Sequence, residues 1–426
     1  MGENLINNSF KNKITKLIEN GNLEDARQEL ERFLLENTIN AEVYCLLAVI
    51  SVIEGDTNIA EVNIIKGLEL DPTNADLLYN YAYIYQQNGD FNKSYEYLDL
   101  ARQNTQDKDV LAEIQQFKDN LKHMEGQFPK VSIIITTYNQ RDHLKRAVDS
   151  AINQTYKNFE IIVVDDCSTD GTEELMNIYQ KEKGIKYIKN PINYGMVFNV
   201  MQAFYNYAKG EYVIFIDHDD YLIDNSFIDK AVKILNENSN LSMVAANCYF
   251  LNEDTGDVNA VGFKEDEIIN GRDYFLNYKQ GKYCNINSGL TNVFRRDNAI
   301  SMGCFKELSY CKDLFYHLKL LLTGDVAVLK DYVGVYTLHN NNISKSLPLE
   351  FDFTTIKELK HIKEYCLNNG FTNEEMDKWL EIQIFLYLRW RFYELWSINK
   401  RSEALELLMN FKNLHPLPVN QILMEI

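Results

Sequence analysis

Between residues 75 and 104 apolar side chains recur at helical steps. Leu78, Tyr81, Ala82 and Tyr85 share one face, and after a Gly89-Asp90 break Tyr95, Leu98 and Ala101 share another. This spacing predicts two amphipathic helices joined by a short turn. The same punctuation occurs upstream: Gly21, Gly55 and Gly89 recur every 34 residues and are followed by Asn22, Asp56 and Asp90. In "GLELDPTN" Pro72 stops one helix and Asn74 can start the next, and "DVLAEIQQFKDNLKHMEG" predicts a further helix over the exposed face of the last pair. From Val131 the pattern changes to short β-branched runs, "VSIIIT", "FEIIVVDD", "KYIKN", "EYVIFID" and "LSMVAANCYF", alternating with helical stretches. That alternation predicts parallel βαβ units and a sheet covered on both faces. After Ser346 the period is helical again. Thr372 and Glu375 have capping-box spacing, and Trp379, Ile382, Leu386, Trp390 and Tyr393, widened by Phe385, Phe392 and Trp396, predict an apolar helix face. Such a face is expected to be core against a neighbouring domain, or a homodimer contact, ahead of a membrane anchor.

A period of 34 is the length of the tetratricopeptide repeat, and the first 108 residues resemble three such repeats. Arrays of this kind hold a peptide or another subunit, or simply brace their neighbour, and the repeat itself does not name its ligand. The 426 residues carry a formal net charge of -19, which argues against nucleic acid or an anionic membrane surface as the main partner. Seven cysteines without a CxxC pair predict thiols in a reducing compartment. The start lacks the apolar core of a signal peptide, Ile6 stands where a myristoylation signal needs Ser or Thr, and no apolar run reaches membrane-spanning length. The expectation is a cytoplasmic protein with no transmembrane segment, peripheral contact with the inner face of the membrane staying open.

Ligands of parallel sheets collect at the carboxyl ends of the strands, and three runs here end in "TTYNQ", "DDCSTDGT" and "DHDD". No GxGxxG follows the first strand and no GxxxxGK[ST] occurs, so phosphates must be held by other means. Asp217 and Asp219, flanking His218, are hard oxygen donors on a tight turn and suit one Mg²⁺ or Mn²⁺ with positions left for diphosphate oxygens. A solvated acidic loop is the bland alternative. Ser168, Thr169 and Asp170 can cap the helix that follows their strand.

The ordered series "VSIIITTYNQRDHLKRAVDSAINQTYKNFEIIVVDDCSTDGTEEL", "NPINYG" and "GEYVIFIDHDD" resembles the family 2 glycosyltransferases of the GT-A fold, over about Lys130 to Ser346. The resemblance implies an α/β fold, a mostly parallel sheet flanked by helices, with a repeat domain at 1–126, a GT-A domain at 127–348 and a helical extension at 349–426. It implies that Thr137, Tyr138 and Asn139 meet the base and ribose, and that Asp165 or Asp166 accepts a hydrogen bond from a uracil-like N–H. Asn193 and Gly195 approach the donor, Asp217 and His218 lie at the ribose or metal shell, Asp219 ligates the metal, and His339 is a second metal ligand. Asp313 is the implied catalytic base. Two departures stand out: Lys312 occupies the place of a glutamate, and no arginine occurs between Asn193 and Gly210, where the family often has one. Arg295 and Arg296 could instead supply charge near the diphosphate.

The implied reaction is inverting, metal-dependent transfer from a nucleoside-diphosphate sugar, UDP-linked by expectation, with Asp313 deprotonating the acceptor. The repeats tilt the acceptor towards a peptide or protein. Cell-envelope polysaccharide synthesis and a non-catalytic sugar-nucleotide-binding scaffold are the alternatives. A nucleotidyltransferase is disfavoured, because "TTYNQRDH" is not a Gly-rich basic loop.

Overall fold

In the computed structural model, which describes residues 8–36, 40–125, 128–286, 288–306, 312–339 and 348–425, left-handed glycines set the rhythm of the N-terminal part. Gly21, Gly55 and Gly89 have φ of 77°, 81° and 72°, a conformation that costs glycine little. Each ends the first helix of a pair: α1 (Asn8–Glu19) before α2 (Leu23–Glu36), α3 (Ala41–Ile53) before α4 (Thr57–Leu70), and α5 (Ala75–Gln87) before α6 (Phe91–Gln103). The residue after the glycine explains the repeated Gly-Asp. Asp56 accepts from Ile59 N at 3.0 Å and Asp90 from Lys93 N at 3.1 Å, each satisfying an orphan amide of the next helix. Asn74 does the same for Leu77 N at the start of α5.

A seventh helix, α7 (Lys108–Glu125), places Ile114, Phe117 and Leu121 in one cluster with Leu78, Ala82, Phe91, Leu98 and Ala101. The chain divides into two compact units, Met1–Phe128 and Pro129–Ile426.

The second unit opens with β1 (Val131–Thr137), α8 (Arg141–Ile152), β2 (Phe159–Asp165), α9 (Thr172–Lys183), β3 (Lys186–Lys189), α10 (Met196–Gln202) and β4 (Tyr212–Asp217). It continues with β5 (Tyr221–Leu222), α11 (Phe227–Glu237), β6 (Leu241–Asn252), β7 (Val258–Ala260), β8 (Glu267–Ile269), α12 (Gly271–Leu276) and β9 (Asn292–Arg295). Then come α13 (Arg296–Ser301), α14 (Lys312–Leu321), β10 (Asp325–Leu338), α15 (Glu350–Leu367), α16 (Asn373–Ser397), α17 (Arg401–Lys412) and α18 (Pro416–Glu425). The sheet has the order β3-β2-β1-β4-β9-β6-β10-β5, with β7 on β6 and β8 on β10. β1 is parallel to β2 and β4, and β2 to β3. β9 is antiparallel to both β4 and β6, so β6, and β10 parallel to it, run in the direction of β4.

Alternation along the strands fills two cores. Ile133, Ile135, Val163, Ile214 and Ile216 face one way with Leu144 and Val148 of α8 and Phe227 and Val232 of α11. Ile134, Ile162, Val164 and Phe215 belong to the other cluster, which also holds Trp379, Leu388, Phe392, Leu407 and Phe411 of the C-terminal helices. A sheet buried on both faces explains why its strands are almost uninterruptedly apolar.

Two expectations change here. Sequence runs mark β1, β2, β3, β4 and β6 but not β10, whose apolar pattern is interrupted by Lys330 and Asp331 where its register against β6 shifts. In α16 the buried face is Met376, Trp379, Gln383, Ile384, Tyr387, Leu388, Arg391, Phe392 and Leu395, while Trp390 and Tyr393 are exposed. Polar partners rotate the helix. Gln383 Nε2 donates to Tyr278 O at 3.0 Å, Trp379 Nε1 to Phe275 O at 3.0 Å, and Arg391 Nε to Asp352 Oδ1 at 3.2 Å. Thr372 and Glu375 do form the capping box.

Candidate active site

Because β1, β2 and β4 are parallel, Thr137, Asp165 and Asp217 arrive at one edge of the sheet. β10 reaches the same edge, and His339 follows its last residue. There His339 Nε2 lies 3.0 Å from Asp219 Oδ2, across 120 residues of sequence, and both residues are buried. The turn after β4 closes with Asp220 N on Asp217 O at 3.0 Å, and Asp220 Oδ1 accepts from Thr337 N at 2.8 Å. His218 Nδ1 is 3.1 Å from Thr136 O.

The neighbouring loops are built around two carboxylates. Asp165, fully buried, accepts from Ser168 N at 2.9 Å, Ser168 Oγ at 2.5 Å and Tyr187 OH at 2.6 Å. Burial raises the pKa of Tyr187, and its bond to Asp165 raises it further. Asp166 accepts from Tyr194 N at 2.7 Å and from Gly195 N at 2.8 Å, so it clamps the Asn193–Gly195 loop, where Gly195 has φ of 86°. Asn193 Oδ1 also accepts from Gly195 N. Asn139, with φ of 49°, ties the first loop to the second through Ser168 Oγ and Thr169 N. Thr137 is buried, and Tyr138 exposes its ring at 46%.

Asp313 stands in the first described turn of α14, and residues 307–311 and the side chain of Lys312 lie outside the described part. Its carboxylate adds to the raised pKa values of Tyr278 and Tyr316, both lifted first by burial. The half-buried Tyr336 of β10 links it to the strand tips. Burial pushes this phenol far above its ordinary range, and the carboxylates of Asp220, Asp217, Asp313 and Asp219 push in the same direction. Four acids therefore bear on one ring.

Arg295 and Arg296 are not at this edge, which corrects the expectation for them. Arg295 pairs with Tyr212 at the start of β4, about 17 Å of strand away from Asp217. It donates to the carbonyls of Leu241 and Leu235, and Arg296 lies over the ring of Phe204. The arginine at the rim is instead Arg146 of α8, whose Nη2 donates to Asp219 O at 2.9 Å and to Glu253 Oε1 at 3.0 Å. His143, one turn earlier, puts Nε2 3.0 Å from Glu253 Oε2 and stacks on His339, with ring centres 5.5 Å apart. Burial opposes the charge on Glu253, yet its bonds from His143 and Arg146 win and its pKa is lowered. Sequence reasoning missed these residues. The readable signal was a basic pair three apart on the helix after "TTYNQ", hence on one face.

Among the described residues no group of three ligating side chains gathers, and no helix is long and apolar enough to cross a membrane.

Comparison with known proteins fits this architecture. Residues 132–299 match the model of glycosyl transferase family 2, and residues 65–96 match a tetratricopeptide repeat model. An uncharacterized glycosyltransferase of Haemophilus influenzae is 28% identical over 251 residues, 56% of this chain and 75% of that protein. The UDP-Glc:alpha-D-GlcNAc-diphosphoundecaprenol beta-1,3-glucosyltransferase WfaP of Escherichia coli is 44% identical over 93 residues, 22% of this chain and 36% of that protein. The structure of Staphylococcus aureus TarS 1–349 in complex with UDP-GlcNAc aligns with a TM-score of 0.52 at 20% identity, over 69% of this chain and 83% of that one, which is a likeness of fold. Parallel strand tips that gather acids and an N-terminal helical repeat thus accompany a glycosyltransferase family 2 match at residues 132–299, within a GT-A-like sheet and preceded by a tetratricopeptide-repeat match.

Proposed function

We propose that the protein moves a sugar from a nucleoside-diphosphate donor, UDP-linked, to an acceptor with inversion, using a divalent cation. The single observation that carries this reading is the meeting of Asp219 and His339 at the carboxyl edge of the sheet. A carboxylate oxygen facing an imidazole nitrogen is a donor set that suits Mn²⁺ or Mg²⁺. Because no third ligating side chain joins them among the described residues, the pair fits a cation shared with the ligand rather than a closed cage. Asp219 and His339 would hold that cation, Asp217 standing beside them, and it would supply Lewis-acid neutralisation of the departing diphosphate.

The chain's own groups do the rest. Tyr138 offers an exposed ring for base stacking beside Thr137 and Asn139. Asp165 and Asp166 fix the loops against which the base and ribose rest, and His218 closes that wall. Asn193 and Gly195 line the donor side, held by Asp166. Asp313 takes the proton from the acceptor as the anomeric bond to it forms and the bond to diphosphate breaks. One displacement inverts the centre, and no second carboxylate nucleophile is required.

The acceptor reading supported by the relatives is a saccharide of the cell envelope, since WfaP is described as acting on a diphosphoundecaprenol-linked sugar. The repeat match supports a peptide or protein instead, or binding of a partner protein. Incubation with a panel of UDP- and GDP-sugars and Mn²⁺ tests the proposal by released nucleoside diphosphate. Release from one donor, stopped by a chelator and accelerated by either a saccharide or a peptide acceptor, is expected. No release from any donor would overturn it.

A further inference from the structure

Behind Asp219 and His339 lies a buttress that the transfer chemistry above does not use. Glu253, the residue after β6, is tied at three points. Its amide donates to Leu338 O at 2.9 Å, immediately before His339. Its Oε2 meets His143 Nε2 at 3.0 Å, and its Oε1 accepts from Arg146 Nη2 at 3.0 Å. His143 and Arg146 project from one face of α8, and each passes the constraint on to a different member of the pair. The His143 ring lies nearly parallel to the His339 ring, at an interplanar angle of 13°. Arg146 holds the main-chain oxygen of Asp219 and lies 3.4 Å from Thr337 Oγ1, while its guanidinium stacks 4.4 Å above the ring of Tyr221.

We propose that Glu253 is a positioning residue: through His143 it sets the plane of the His339 imidazole, and through Arg146 it sets the height of the Asp219 turn. The proposal rests on the reading of Asp219 and His339 as the cation-holding pair. One carboxylate thus fixes two donors that come from different strands and are remote in sequence. Its two oxygens are both needed, because each serves a different arm of α8. A glutamine at this position keeps the shape but offers one acceptor oxygen and no charge, so one arm is released. Partners of metal-ligating side chains commonly change metal affinity by about 10- to 100-fold when altered.

The test uses the full-length chain saturated with UDP and titrated with MnCl₂, free Mn²⁺ being read from its paramagnetic resonance signal. Glu253→Gln is expected to weaken Mn²⁺ uptake by about 10- to 100-fold. Its UDP binding in EDTA and its thermal midpoint should stay at the wild-type values. Arg146→Lys, which keeps the charge but loses the planar fork, is expected to move Mn²⁺ uptake in the same direction. Unchanged Mn²⁺ uptake in both variants overturns the positioning role, as does a lowered midpoint with unchanged uptake or loss of the folded state in both. Wild-type protein that takes up no Mn²⁺ with UDP overturns the assignment of Asp219 and His339 themselves, a different failure.

Discussion

Two acid–base pairs in the second unit use the same ingredients to opposite ends. Asp352 and Arg391 sit at 0% and 1% exposure between α15 and α16, joined at 3.2 Å, with the hydroxyl of Tyr387 also on Asp352. Asp219 and His339 meet at 3.0 Å, but at the end of a sheet whose loops open on solvent through Tyr138 and Tyr194. The core pair is almost wholly removed from solvent. Burial raises the pKa of Asp352 despite the neighbouring Arg391. The rim pair is also buried, but its neighbours His143 and Arg146 are partly exposed polar groups. Pairing alone therefore says little; what surrounds the pair decides whether it is sealed into packing or left among polar neighbours.

The sharpest way to break this contrast is at the rim. Asp313→Asn should cut kcat by about 10² to 10⁴ while nucleotide affinity and the melting temperature hold, and single-turnover transfer measured beside calorimetric UDP binding checks it. In the core the effect should be the reverse kind. Asp352→Asn leaves Arg391 without its counter-charge and should cost about 3 to 5 kcal/mol of stability in denaturant titrations, with kcat per folded molecule unchanged. A loss of kcat without loss of stability would collapse the distinction. The effect that is smallest near neutral pH sharpens it further. His317 is fully buried between Asn292 and Tyr278, and burial lowers its pKa to about 3. A histidine held neutral in the fold but protonated when unfolded contributes stability above its ordinary pKa and loses it as pH falls. Stability should therefore decline by up to about 1.4 kcal/mol per pH unit from near pH 6.5 towards pH 3, and His317→Gln should flatten that slope.

What the sequence revealed follows the range of the interactions involved. Helix pairs punctuated by Gly55-Asp56 and Gly89-Asp90 were legible because the turn and the cap are settled within five residues. Strands β1, β2 and β4 were legible because both of their faces are apolar. The meeting of Asp219 and His339 was anticipated only through resemblance, since no local pattern spans 120 residues. Three things escaped. The burial of Gln383 and Arg391 turned α16 away from its purely apolar face, because a hydrogen-bonded polar side chain is as buriable as an apolar one. Arg295 was placed by its basic character near phosphate, whereas the antiparallel entry of β9 carries it to the far end of β4. The service of His143, Arg146 and Glu253 is non-local, and none of the three stands out in composition.

The direction of β9 has a last consequence for biosynthesis. Because β9 lies between β4 and β6 in the sheet and is antiparallel to both, β10 runs the same way as β1, and His339 reaches Asp219 only after β10 has joined the sheet. A growing polypeptide that stops short of that strand has the loops after β1, β2 and β4 but lacks His339, one side of the Asp219–His339 contact. The contact between the two therefore forms late, after residue 339 has been made.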